Sequence, residues 1–306
     1  MAEPVFSRVA LVGAGLIGSS IARAARDYGA AREVAIVDAS ASVMARVREL
    51  GIADEASGDV SRALEGADLV VICTPVGACA AVAATLAPHL APGAILSDVG
   101  SVKSAVVAQV APHVPPGVQF IPAHPLAGTE FSGPDAGFAS LFQNRWCILT
   151  PPDGADARAV SRLADFWTRI GARVETMSAE HHDKVLALTS HLPHLIAYNI
   201  VGTADDFGEQ TRSEVIKFSA SGFRDFTRIA ASDPIMWRDI FLNNREAVLE
   251  MLGRFNEDLS ALQRMIRRGD GDGLFAFFTR TRAIRRSIIE QGQDTAAPDF
   301  GRPKSD

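Results

Sequence analysis

The sequence predicts an α/β fold: a doubly wound, mostly parallel sheet followed by an all-helical domain. Three observations carry that prediction. Short β-branched apolar runs recur up to Ser178, stretches long enough for crossover helices separate most of them, and no strand-like run follows. The runs are VALVGAG (9–15), VAIVD (34–38), LVVICTP (69–75), AILSDVG (94–100), QFIPAHP (119–125), CILTP (147–151) and RVETM (173–177). They are mostly apolar on both faces and bounded by Gly, Pro or Asp, as strands buried between two helical layers must be.

Gly13-Ala-Gly15-Leu16-Ile17-Gly18 follows the first run and opens the helical stretch SSIARAARDYG. The first glycine permits a tight turn, the second lets a pyrophosphate approach the backbone, and the third lets helix and strand pack closely. Free N–H groups at the helix start face the anion. Asp38 ends the second run 20 residues after Gly18, the spacing of a ribose-binding acid. This is a Rossmann-type arrangement. A carboxylate there favours NAD over NADP because it repels a 2′-phosphate, although Arg32 and Arg46 lie near enough in sequence to soften the preference.

In an open α/β sheet the ligand lies beyond the carboxyl ends of the strands. Three segments end there: Thr74-Pro75, which flanks the dinucleotide; Gly100-Ser101-Val102-Lys103, which begins a helix; and His124-Pro125-Leu-Ala-Gly-Thr-Glu130. Ser101 either bonds cofactor or substrate or simply caps that helix. His124 is the catalytic candidate among seven histidines, because a neutral imidazole at a strand end accepts a hydroxyl proton near pH 7. The alternative for it is a buried structural histidine.

From Ala179 to Glu290 the pattern is helical. Asp233-Pro234 supplies an N-cap and a first-turn proline, and the helix they start is expected to run to Arg268. Phe241, Val248, Phe255 and Leu262 recur every seven residues, interleaved with Leu252, Leu259 and Ile266. This seam fits the interior of a bundle or a subunit interface. Asp270-Gly-Asp-Gly273 ends the helix, and LFAFFTRTRAIRRSII (274–289) supplies another. The expected division is a dinucleotide-binding domain over 1–178, a helical substrate and dimerisation domain over 179–290, and a polar, flexible tail over 291–306.

Composition removes other classes. A chain of 306 residues with 47% hydrophobic and 22% charged residues is neither disordered nor fibrous. Lys+Arg 30 against Asp+Glu 36 leaves a net charge of −6, with no excess of cations for a nucleic-acid backbone. Three cysteines cannot staple the fold and fit a reducing compartment. Leu69–Leu96 lacks charge, but Pro75, Gly77, Pro88, Pro92 and Gly93 divide it into strand, helix and strand, so no membrane span is expected. The N-terminus lacks the pattern of a secretory signal. A cytoplasmic protein is expected. His191-Leu-Pro-His194 beside His181-His182-Asp183 invites a metal reading, but Pro193 interrupts the pair and no fourth ligand is evident, so no metal is expected.

GAGLIGSS, DVGSVK, HPLAGTE, TSHLPH and SGFRDFTRIAASDPIMWRDIF, in that order from Val9 to Ile289, resemble the prephenate/arogenate (cyclohexadienyl) dehydrogenase family of tyrosine biosynthesis. The resemblance implies an NAD(P)-dependent oxidative decarboxylation without a metal, and a homodimer formed through the helical domain. Hydride leaves C4 of a cyclohexadienyl ring, the C4 hydroxyl loses its proton and the ring carboxylate departs as CO2. It implies that His124 hydrogen-bonds the hydroxyl with Ser101 beside it, that Arg228 binds a substrate carboxylate, and that His194 lies near the substrate side chain. Asp225, at i−3 from Arg228, is placed to orient it; His191 is expected to support packing, and Glu130 and Asp183 to tune or gate the site. The alternatives are a strict arogenate dehydrogenase and a non-catalytic NAD-binding sensor. The 16 residues after Glu290 are too few for an ACT-type regulatory domain, so feedback is expected to act at the active site.

Overall fold

The computed structural model describes residues 3–129, 131–206, 214, 217 and 220–290. Six strands form the first sheet: β1 (Phe6–Val12), β2 (Ala31–Val37), β3 (Glu55–Ser57), β4 (Leu69–Ile72), β5 (Ile95–Asp98) and β6 (Gln119–Phe120). Their order is β3-β2-β1-β4-β5-β6 and every pairing is parallel. The crossovers run through α1 (Leu16–Asp27), α2 (Ala41–Leu50), α3 (Val60–Leu64), α4 (Cys79–Leu86) and α5 (Ser104–Val110). Alternate residues of each central strand feed two cores. Val9, Leu11, Val34, Ile36, Leu69 and Val71 join Ile21, Phe166 and Trp167 on one face. Ala10, Val12, Val37, Val70 and Ile72 join Ala83, Leu86, Val106 and Val110 on the other. Burial on both faces explains why the strand runs lack polar alternation.

The run QFIPAHP is not one strand. After β6 the Ile121 N–H still bonds Leu96 O at 2.9 Å, but Pro122 has no N–H to extend the ladder. The chain then leaves the first sheet. β7 (Ala123–Pro125) pairs antiparallel with β8 (Trp146–Leu149), which pairs parallel with β9 (Arg173–Thr176), in a second, three-stranded sheet. Helix α6 (Ala157–Arg169) joins the last two strands. His124 therefore stands at the junction of two sheets. Strand β3, with the sequence EAS, is too short and polar to be seen in the sequence.

Among the described residues after β9 come α7 (Ala179–Leu186), a π-helical turn (Ala187–His191), α8 (Leu192–Asp206), α9 (Ser221–Thr227) and α10 (Pro234–Asn243). The helix expected from Asp233 to Arg268 is broken at Asn244, where α10 ends and α11 (Arg245–Arg268) begins. Asn244 leaves helical geometry (φ −115°, ψ 33°), and its buried side chain donates to Asp183 O at 2.9 Å.

The chain forms two compact units, Met1–Arg245 and Glu246–Asp306. In the second, α11 turns through Gly269 (φ +66°) into α12 (Gly271–Glu290), with Asp270 Oδ1 accepting the Gly273 N–H. Residues 291–306, expected to be a tail, lie outside the described residues. Among the described residues no helix is long and apolar enough to cross a membrane.

Candidate active site

Beyond β1 the chain turns at Gly13 (φ +107°), whose N–H bonds Val37 O at 2.8 Å. A Cβ on Gly13 would sit 2.9 Å from Cys73 O, and one on Gly18 would collide with Gly13 O. Packing demands both glycines. Gly15 differs: a Cβ there would meet nothing within 4 Å, and the residue caps α1 with no side-chain bond. The space above Gly15 faces the unpaired N–H groups at the start of α1, a place for an anion. Leu16 and Ile17 pack against the core below.

Asp38 fixes the turn's other wall. Its Oδ2 accepts the Ala14 N–H at 2.9 Å and its Oδ1 accepts the Ser40 N–H at 2.8 Å. Across the turn, Thr74 Oγ1 is buried and makes no hydrogen bond of good geometry, and Pro75 beside it is exposed. A cradle over Gly15 with room for a ligand, an anchored carboxylate and an orphaned hydroxyl fit a dinucleotide.

Behind His124 lies a chain of buried polar groups. His124 Nδ1 is 2.8 Å from His182 Nε2, and His182 Nδ1 is 2.9 Å from Asp183 Oδ1. A carboxylate only accepts, so His182 Nδ1 carries the proton and His182 Nε2 accepts from His124 Nδ1–H. His124 Nε2 is left with a free lone pair. Burial, and then the neighbouring His182 and Lys103, push the His124 pKa well below its ordinary value. Burial lowers His182 too, with Asp183 working against it. Burial opposes ionisation of Asp183, but bonds from His182, Lys103 and Ser104 prevail and keep it below the usual carboxylate range.

The helix expected at Gly100–Lys103 begins instead at Ser104, so Ser101 does not cap it. Asp183 does, from α7: its Oδ1 accepts the Lys103 N–H at 2.7 Å and its Oδ2 the Ser104 N–H at 2.9 Å. That frees the Ser101 side chain. Lys103 Nζ is fully buried, 2.5 Å from Asp98 Oδ2 and 2.7 Å from Ala123 O.

Pro193 explains the next turn. It lacks the N–H that would bond Thr189, and the helix answers with the π-helical turn Ala187–His191. His191 Nδ1 lies 3.1 Å from Asn244 Nδ2, and burial followed by His182 lowers its pKa to about 4. His194 Nδ1 donates to Ser190 O at 2.9 Å, and its ring stacks on Trp237 at 3.7 Å. Burial lowers the His194 pKa against the Ser190 carbonyl, and the guanidinium of Arg228 lowers it further. Arg228 is exposed at the end of α9, within electrostatic reach of His194. Asp225 is exposed and lies 3.6 Å from Arg224. Glu130 lies outside the described residues.

The family model for the prephenate dehydrogenase nucleotide-binding domain matches residues 21–176, and that for the prephenate dehydrogenase dimerization domain matches residues 178–280. The chain belongs to the prephenate dehydrogenase family. It is 45% identical to a cyclohexadienyl dehydrogenase of Zymomonas mobilis over 93% of this chain and 97% of that protein. Identity to a prephenate dehydrogenase of Bacillus subtilis is 33%, over 95% of this chain and 78% of that one. Among solved structures, the prephenate dehydrogenase of Aquifex aeolicus in complex with hydroxyphenyl propionate and NAD+ superposes with a TM-score of 0.86. The two share 33% identity, and the match covers 92% of this chain and 98% of the other.

Within this prephenate dehydrogenase fold, residues that sequence reading passed over complete the site. His182 was visible only as part of HHD, and its contact with His124 spans 58 positions. Trp237 stood in a quoted motif without a role of its own, and Asn244 carried no signal beyond the helix it was assigned to. Asp98 and Lys103 stood in a quoted motif, but nothing in it marks them as a buried pair.

Proposed function

We propose that the chain catalyses NAD-dependent oxidative decarboxylation of prephenate to 4-hydroxyphenylpyruvate and CO2 in tyrosine biosynthesis, and that it also accepts arogenate. The observation that carries this reading is the His124–His182–Asp183 chain, which presents a lone pair at His124 Nε2. Oxidation at a hydroxyl-bearing carbon needs an acceptor of that kind. Gly13–Gly18 and Asp38 would hold NAD, which when bound would supply the acceptor for the hydride on C4 of the ring. Asp38 favours NAD, since a 2′-phosphate would face its carboxylate.

His124 Nε2 accepts the C4 hydroxyl proton, and Ser101 holds the same oxygen. His124 Nδ1–H then passes its proton to His182 Nε2, where the positive charge meets Asp183. The proton thus moves toward a carboxylate. Electrons of the ring–carboxylate bond fill the aromatic ring as CO2 leaves, the relay returns its proton to the C4 oxygen to give the phenol, and aromatisation makes the step effectively irreversible. Arg228 grips a substrate carboxylate, a task suited to a planar, always charged fork. His194, held by Ser190 and Trp237, borders the substrate side chain. The three free cysteines, Cys73, Cys79 and Cys147, fit a reducing cytoplasm.

The test is the rate of NADH formation with prephenate and with arogenate, each with NAD and NADP. Turnover of prephenate with NAD is expected; no turnover of either substrate overturns the assignment. Arg228→Ala is expected to raise KM for prephenate roughly 10- to 100-fold, the equivalent of about 1.5–3 kcal/mol for a charged hydrogen bond, with kcat little changed. A fall in kcat alone would place Arg228 elsewhere.

The second unit supports dimerisation. Leu259 and Ile266 of the seam are 51% and 67% exposed, and Phe275 of α12 is 74% exposed. A single chain leaves these side chains in water, and a second copy presenting the same helices covers them. Sedimentation is expected to show a dimer for the native chain and a monomer for Phe255→Asp. An unchanged mass for the variant would make the seam internal.

A further inference from the structure

Lys103 and Asp98 are both completely buried and paired with each other. A buried ion pair is costly to desolvate, and a fold that needed only packing is served as well by apolar residues. The partners of this pair suggest what it is for. Asp98 Oδ1 accepts the Ala123 N–H at 3.2 Å, while Lys103 Nζ donates to Ala123 O at 2.7 Å. Both polar groups of the residue before His124 are thus held by opposite ends of one ion pair. Asp98 Oδ2 also accepts the Gly100 N–H at 2.7 Å, one residue from Ser101. Finally, the Lys103 N–H bonds Asp183 Oδ1, the same oxygen that orients His182.

We propose that the Asp98–Lys103 pair is a positioning device that aims His124 from behind, fixing the peptide before it and, through Asp183, the histidine it leans on. The proposal rests on the dehydrogenase reading above. Lys103 touches strand β7 with its ammonium and the relay with its backbone, so one residue sets the spacing between imidazole and relay. Its charge disfavours an imidazolium at both His124 and His182, so Asp183 is the group that stabilises a proton received by the relay. The other groups facing His124 are His182 from α7, His191 from the π-helical turn and the Cys147 thiol from β8. None of these supplies a fixed positive charge.

The experiment compares Asp98→Asn/Lys103→Met, which removes both charges at nearly constant size, with Lys103→Arg, which keeps the charge and moves its position. For each, kcat and KM for prephenate are measured from pH 5 to 9, with NAD affinity by fluorescence and the thermal midpoint as controls. The double variant is expected to lose at least ~10-fold in kcat, with KM and NAD affinity within about threefold, because small misplacements of a catalytic group are costly. Its acid limb is expected to move to higher pH, since the cation that disfavours imidazolium is gone. Lys103→Arg is expected to lose at least ~10-fold in kcat with the acid limb unmoved, and it keeps the test open should the double variant not fold. A double variant, or an arginine variant, with kcat within twofold of native and an unmoved acid limb overturns the proposal. Failure of the native protein to oxidise prephenate would instead overturn the reading on which it rests.

Discussion

The turn over Gly13–Gly18 and the cluster behind His124 do related work by opposite means. The turn spans six consecutive residues, and its shape follows from side chains that are missing: two glycines pack where a Cβ would clash, and one opens a space. The cluster draws on the end of β5, on β7, the start of α5, helix α7 and the residue between α10 and α11. Every link in it is a side-chain bond. A ligand's phosphates need backbone amides and room, which a local turn supplies. A directed lone pair needs a fixed tautomer, which takes several partners. The first site is damaged by adding atoms and the second by removing them.

The largest expected effect tests the second half of that contrast. His124→Asn keeps a polar group at the site but cannot take a proton, and kcat is expected to fall by roughly 10²- to 10⁴-fold, the range for loss of a general base. The pH profile of the native protein adds a sign. The folded-state pKa of His124 lies below its usual ~6.5, so the imidazole stays an acceptor as pH falls through that value. Activity is therefore expected to hold to below about pH 6.5 and to disappear only when pH falls through the lowered pKa. An acid limb above pH 7 in the native protein, or an Asn variant within tenfold of native kcat, would mean that another group takes the proton.

The two sites also differed in how far the sequence exposed them. The turn was legible in full, because the strand, three glycines and an acid 20 residues on are all neighbours along the chain. So was the burial of the central strands, since parallel strands between helical layers write their environment into runs such as LVVI, whereas β3 and the separate three-stranded sheet were not legible. His124 was legible as a histidine at a strand end, but its partners were not. The bond to His182 crosses 58 positions and that from Asn244 to Asp183 crosses 61, and no local pattern encodes either. Asn244 shows the cost. Its apolar neighbours keep a heptad rhythm through the break, so periodicity predicts one helix where a buried amide makes two. Ser101 shows the complementary limit: the sequence left capping and ligand binding both open for it, and the cap is a carboxylate 80 residues away.

The smallest effect expected is the sharpest on the first half of the contrast, because it separates two glycines of one motif. Gly15→Ala adds a methyl group to a residue with ordinary extended geometry (φ −70°) and no atom within 4 Å of the new Cβ. The free protein is expected to lose at most ~1 kcal/mol, as for a change of a helix N-cap. Affinity for NAD is nevertheless expected to fall at least ~10-fold, or about 1.4 kcal/mol, because the methyl occupies the space over the α1 amides. Gly18→Ala should invert the pattern. Its Cβ runs into Gly13 O and lies 3.2 Å from Cys73 Cβ, so the helix must shift and the thermal midpoint should drop, as for an overpacked core at about 1–3 kcal/mol. Melting curves with and without saturating NAD read both effects at once. Were Gly15→Ala to bind NAD like the native chain, the space above that glycine would not be where the cofactor's phosphates sit.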